Sequence, residues 1–383
     1  MSSRIKMLFF LHSNAFLWGF VPSLLGLVIT LIIEDFSLSY TQGGKLFSIS
    51  AIGSTIGSFT GGILADSLNR QKLLQSILLI LLFVFGSLTL VPNYEILLVV
   101  VAAGGVTGGI FNIILNTSVG DLYSEKRAAA LNLLNVSFGL GSVLAPAYTL
   151  GILKISSEWR SVYVLVPILF GLIWLLSFQI SLPKKKLTVN RIATTINSYI
   201  LILRDYRELL FATIVLLAAG TEWAIAYWVV TYMYKGLGIS YEIATNALSL
   251  FWIGMILGRF VMSRILSSLN PFQVIQFSTL AAIFMAILVT LKTTPVLSVL
   301  GVGVFGLFLS GILPTCIGLM MDRHPEKSAS VSGLLLVASG IGAIFVPVVV
   351  GFISDNFGLT WGMRLIPALL TVSLILIVCY KPS

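Results

Sequence analysis

The sequence predicts an all-α membrane protein of twelve transmembrane helices, arranged as two parallel six-helix repeats. Three observations carry this prediction. The chain is 57% hydrophobic and only 10% charged, with a mean hydropathy of +1.04, whereas soluble domains hold about 25% charged residues. Apolar runs of about 20 residues, the length a helix needs to cross the hydrocarbon core, recur along the whole chain. Features of the first half also return in the second at a constant offset of 201 residues.

Span one, 7–33, follows the basic-then-apolar opening MSSRIKMLFF. It continues to Ile33 without a small-residue cleavage site, so it reads as a retained helix and not as a signal peptide. Spans two to six follow at 43–66, 72–91, 96–119, 128–153 and 158–180. Spans seven to twelve fall at 208–234, 243–265, 272–291, 295–320, 328–353 and 359–380. The longest polar stretch, Ser181–Arg207, carries LPKKK and joins the two groups of six. The expected organisation is an N-terminal bundle over 1–180, a cytoplasmic linker over 181–207 and a C-terminal bundle over 208–383. The 34 glycines suit close packing between membrane helices. Cys316 and Cys379 lie in apolar runs without metal-ligand spacing and read as buried, inert thiols.

The repeat has several markers in one register. FGLGSVLAP (Phe138–Pro146) returns as SGIGAIFVP (Ser339–Pro347). Gly53 and Gly57 match Gly254 and Gly258, and Leu68-Asn69 matches Leu269-Asn270. Asp121, Glu125 and Lys126 match Asp322, Glu326 and Lys327. With six crossings per half, the repeats share one orientation in the membrane, as in carriers with two rocking halves.

Twelve crossings put both termini on one side. Seventeen of the 23 Lys and Arg residues, Arg259 among them, are assigned to that side and six to the other. The positive-inside rule then places both termini in the cytoplasm of a cell (plasma or inner) membrane. The net charge of +9 is accounted for by orientation and calls for no nucleic-acid partner.

The segment GGILADSLNRQK (Gly61–Lys72), between spans two and three, resembles the loop signature of the major facilitator superfamily, G-x-L-A-D-R-x-G-R-K. Gly62, Leu64, Ala65, Asp66 and Arg70 fit it, while Ser67 and Asn69 replace the usual basic residue and glycine. In this reading Gly62 allows a close helix contact, and Asp66 and Arg70 belong to a conformational latch at the cytoplasmic helix ends. Gly104–Pro146, TEWAIAYWVVTY (Thr221–Tyr232) and GILPT (Gly311–Thr315) are similar to the fucose/glucose permease-like branch of sugar:proton symporters. That branch carries membrane-embedded acids in spans one and four. Here span one has no acid, and Asn112 stands at the span-four position.

Thirteen of the 14 acids are assigned to loops or span ends, and Glu222 alone remains near the middle of a span. A charged carboxylate there costs at least about 2.5–3.5 kcal/mol. An apolar setting disfavours the charged form, so a carboxyl facing a cavity gains and loses a proton as its exposure changes. Tyr227 and Trp228 follow on the same helix and are suited to stacking on a sugar ring. Amides must find partners inside the membrane, across helices or in a water-filled cavity. Asn112 with Asn116, Asn132 with Asn135, and Asn14 with Trp18 at i+4 are therefore the other expected solute ligands.

No Walker loop, HExxH or intramembrane aspartate pair is present, so neither an enzyme nor an ATP-driven pump is expected. No cofactor or metal is expected either. The expected function is secondary transport of a small neutral sugar or polyol by alternating access, coupled to a proton through Glu222, or to sodium. Two alternatives stand beside it: an exporter of drugs, metabolites or lipophilic cations by proton antiport, and a non-transporting membrane receptor or sensor. The expected partners are the solute, the coupling ion and the lipid bilayer, with one copy sufficient for function.

Overall fold

The computed structural model describes residues 3–123, 127–180, 182, 206–265, 269–291, 294–323 and 328–379. Among them every regular element is helical, and twelve segments are long and apolar enough to cross a membrane. The first five crossings are α1 (Ser3–Asp35), α2 (Tyr40–Ser67), α3 (Arg70–Ser87) with a 3-10 turn over Leu88–Leu90, α4 (Tyr94–Leu122) and α5 (Arg127–Ile155). The sixth joins the 3-10 turn Trp159–Tyr163 to α6 (Leu165–Ser177). The seventh is α7 (Tyr206–Thr231), continued by a π-helical turn over Tyr232–Gly236. Then come α8 (Tyr241–Ile265) and α9 (Pro271–Thr290). The tenth crossing is broken into α10 (Pro295–Leu309) and α11 (Ile312–Arg323), and α12 (Ser328–Phe357) and α13 (Leu359–Cys379) complete the set.

The chain forms two compact units, Met1–Leu38 with Ile49–Val189, and Ser39–Ser48 with Asn190–Ser383. This differs from the sequence expectation in that the first turns of α2 pack with the second unit. Most of the expected 181–207 linker lies outside the described residues. Its last two residues, Tyr206 and Arg207, already open α7.

The 201-residue repeat extends to individual atoms. Asn69 caps α3 by accepting from the Lys72 N–H at 3.1 Å, and Asn270 caps α9 by accepting from the Phe272 N–H at 2.9 Å. Asn93 and Thr294, again 201 apart, cap α4 and α10. Each such cap stabilises its helix by about 0.5–2 kcal/mol. Asn69 therefore has a local reason to stand where the family pattern has glycine.

The helix contacts repeat in the same register. A Cβ on Gly57 would overlap the Val106 carbonyl, and one on Gly258 the Leu307 carbonyl. Gly53 and Gly254 stand likewise against Ala102 and Gly303, and Gly105 and Gly306 against Ser50 and Phe251. Thus α2 on α4, and α8 on α10, touch backbone to backbone, an approach that residues with side chains cannot make. Gly62, expected to allow such a contact, faces open space; the close approach is made by its neighbour Gly61, against Ile110.

The break in the tenth crossing follows from Pro314. Proline has no N–H for the carbonyl four residues back, and its ring clashes with that carbonyl. The affected residue is Ser310, where α10 ends. A Cβ on Gly311 would overlap the Met262 side chain, so the break is seated against α8.

Gly57→Val and Gly258→Val should each destabilise the protein, by about 1–3 kcal/mol or more, as overpacked substitutions do. Gly62→Ala should leave stability unchanged. Melting temperatures in detergent check both, and equal loss at Gly62 and Gly57 would contradict the assigned contacts.

Candidate functional site

The expected solute ligands of the first unit lie on α1, α4 and α5. Gly108 leaves room for the Trp18 indole, which occupies the space a Cβ would need. The half-buried Trp18 sits edge-on to Phe111 at 5.8 Å. Asn116 Nδ2 donates to the Asn112 backbone carbonyl at 2.8 Å and to its side-chain oxygen at 2.9 Å. Asn112 is exposed and Asn116 half-buried, so the pair forms a polar step that keeps hydrogen-bonding capacity. Asn135 is exposed, and the Asn132 side chain lies outside the described residues. Asn14 departs from expectation. It is fully buried, its amide nitrogen donates to the Phe10 carbonyl at 2.7 Å, and its oxygen has no hydrogen-bond partner among the described residues.

The latch residues also rearrange. Buried Arg70 donates from Nη1 to Asp121 Oδ2 at 2.8 Å, tying the start of α3 to the end of α4. The Asp66 side chain lies outside the described residues. Asp121 was legible in the sequence only as a repeat marker.

In the second unit, Glu222 is half-buried on α7, with half-buried Trp223 beside it. Among the described residues its carboxylate makes no hydrogen bond or ion pair within bonding distance. The charge that reaches it is Arg259 of α8. Arg259 lies inside the eighth crossing, Tyr241–Met262, and its side chain is exposed. The sequence reading counted Arg259 with the cytoplasmic side and expected no cation at the depth of Glu222; the structure places one within electrostatic range of it.

The aromatic residues beyond Glu222 divide into two roles. Tyr227 is buried and stacks on Phe47 of α2, with ring centroids 3.9 Å apart and planes 3° from parallel. Trp228, expected to line the cavity, is fully buried. Its Nε1–H donates to the Pro347 carbonyl at 2.9 Å, and its ring meets Phe47 and Tyr40 edge-on. It is therefore a packing residue that holds α12. The first turn of α2 is fixed alongside, where Asp355 accepts from the Tyr40 N–H at 2.7 Å and the Thr41 N–H at 2.8 Å.

The fold and these residues define a polytopic helical membrane protein built on an internal repeat, with polar groups placed mid-span. The sequence model of the Major Facilitator Superfamily matches residues 11–334. The chain belongs to that superfamily, whose members are transporters and not enzymes, and is a multi-pass membrane protein. It is 26% identical to the "Hexuronate transporter" of Bacillus subtilis, over 91% of this chain and 88% of the relative. It is 23% identical to the "Glucose/galactose transporter" of Brucella abortus, over 90% and 86%. Among solved structures it resembles the nucleoside transporter NupG, with a TM-score of 0.83 and 16% identity over 100% of this chain and 100% of that one. That likeness supports the fold. The sugar-permease-like branch read from Gly104–Pro146 and Thr221–Tyr232 is supported by the curated relatives.

Removing one partner of a buried ion pair costs about 3–5 kcal/mol, whereas an exposed pair contributes about 1 kcal/mol or less. Asp121→Ala strands the buried Arg70 and should sharply lower the melting temperature. Asp35→Ala removes the partner of Arg160 in a partly exposed pair 2.8 Å apart, leaves the Arg160 hydrogen bonds to the Val91 carbonyl in place, and should lower it less. Equal shifts would contradict the burial assigned to Arg70.

Proposed function

We propose that the protein carries a small polyhydroxylated, sugar-like solute across the cytoplasmic membrane by alternating access, coupled to a proton at Glu222, with both termini cytoplasmic. The observation that carries the reading is the Glu222 carboxyl, held mid-helix on a half-buried face with no hydrogen bond among the described residues. A carboxyl so placed has a reason to exchange a proton with a water-filled path. The accessible Trp18 ring and the Asn112–Asn116 step supply an apolar face and amide groups, which is the chemistry of sugar recognition. The two curated relatives named for sugars and sugar acids point the same way.

With Arg259 counted on the cytoplasmic side, the sequence leaves no cation beside Glu222, and a site of amides without a fixed positive charge suits a neutral solute. Arg259 removes that premise. It also weighs against export of lipophilic cations, which would meet its positive charge beside the acid.

In proteoliposomes with an imposed proton gradient, wild type should concentrate the sugar and take up protons with it. Glu222→Gln should bind and exchange solute but fail to concentrate it. Accumulation by Glu222→Gln at the wild-type level would sink the coupling role. A variant that merely folds poorly, with unchanged transport per folded molecule, would make Glu222 a packing residue.

A further inference from the structure

We propose that Glu222 and Arg259 form a charge-switching couple that selects a carboxylate-bearing sugar and binds it together with one proton. The inference rests on the reading of Glu222 as the proton site and goes beyond it to the charge of the cargo.

The geometry comes first. Helices α7 and α8 are joined by the short turn around Leu237–Ser240. From that turn Glu222 lies ~21 Å back along the seventh crossing and Arg259 ~27 Å along α8, at ~1.5 Å rise per residue. The two are therefore within about 6 Å of the same depth. Gly258 fixes the orientation of α8 by pressing its backbone on the Leu307 carbonyl. Arg259, about 100° further round the helix, is turned out of that interface and is exposed. Among the described residues neither side chain makes a hydrogen bond or a close ion pair, yet each is within electrostatic reach of the other. Two opposite charges within about 6 Å of one depth, one exposed and one half-buried and neither hydrogen-bonded among the described residues, are arranged to be bridged by something else.

No other charge interferes at that level among the described residues. Of the elements packed on α7, α2 carries the exposed Lys45 two residues before Phe47, the π-helical turn carries Lys235, α12 carries Asp355 near its far end and α13 carries Arg364 near its start. Helix α8 has Glu242 in its first turn and Arg264 in its last. Helix α11 ends in Asp322 and Arg323, the latter 3.5 Å from Glu208 in the first turn of α7. Helix α10 has no ionisable residue. Tyr227, one turn beyond Glu222, is covered by Phe47.

The couple then behaves as a switch. With Glu222 ionised, its charge offsets that of Arg259 and the site offers nothing to an anion. With Glu222 protonated, the guanidinium is unmatched and takes a carboxylate, while the neutral carboxyl can donate a hydrogen bond. Proton and monoanion therefore enter together, one for one, and the loaded site has the same net charge as the empty one.

The test uses the full chain in proteoliposomes with labelled galacturonate, and with glucose as its neutral counterpart. Galacturonate uptake should follow the proton gradient with one proton per anion and be insensitive to membrane potential. Arg259→Gln should weaken galacturonate affinity on the order of 100-fold, the scale of losing one partner of a desolvated charge pair, and weaken glucose competition by much less. Arg259→Lys, which keeps the charge, should recover part of the loss. Melting temperatures of both variants separate a folding defect from a binding one. If glucose is concentrated and galacturonate neither moves nor competes, the couple has been misread while proton-coupled sugar transport stands. Galacturonate uptake by folded Arg259→Gln at wild-type affinity also overturns it. If neither sugar moves, the underlying reading of Glu222 falls with it.

Discussion

The approach of Gly258 to the Leu307 carbonyl is the contact on which the rest of the second unit's site depends. Inside a bilayer no hydrophobic effect drives helices together, so packing relies on backbones that can come close. Pressing α8 on α10 at Gly254 and Gly258 fixes the rotation of α8 about its axis. That rotation presents Arg259 to an accessible face and not to the helix interface. The same contact lies beside the interruption at Ser310, where Pro314 withholds its N–H. Non-helical backbone at membrane depth is tolerated where it is buried in protein or lines a cavity. One sequence feature, a glycine pair spaced by four, thus decides where a charge sits.

The first unit uses the same device with a different outcome. Gly57 meets Val106 as Gly258 meets Leu307, but the residue after Gly57 is Ser58, and the counterpart of Glu222 is Val21. The repeat therefore preserves scaffold and caps while the chemistry diverges. The first unit holds amides and an indole seated over Gly108; the second holds an acid and a base.

Much of this was legible in the sequence, for physical reasons. The twelve crossings follow from run length, and the repeat from fixed spacing. Glu222 stood out because an acid deep in an apolar run has few structural reasons to be there. Arg259 was counted with the cytoplasmic cations, although its span was read as 243–265, because a census by membrane side takes a basic residue near a span end to reach that surface; the face to which the helix turns it is visible only in three dimensions. Asn14 and Trp228 were assigned to the solute path because periodicity gives helix faces without saying which face meets a neighbour. Their partners, the Phe10 carbonyl and the Pro347 carbonyl, are visible only in three dimensions. Phe47 was missed since it stacks on a residue 180 positions away, and Gly62 was one residue out of phase with the glycine that makes the contact.

The central claim is that solute binding and protonation of Glu222 are one event, and infrared difference spectroscopy of the reconstituted protein addresses it most directly. Adding galacturonate near neutral pH should produce a protonated-carboxyl stretching band that is absent from Glu222→Gln and weakened in Arg259→Gln. Solute binding that leaves the carboxyl region unchanged, or a band that persists in Glu222→Gln, would contradict the account.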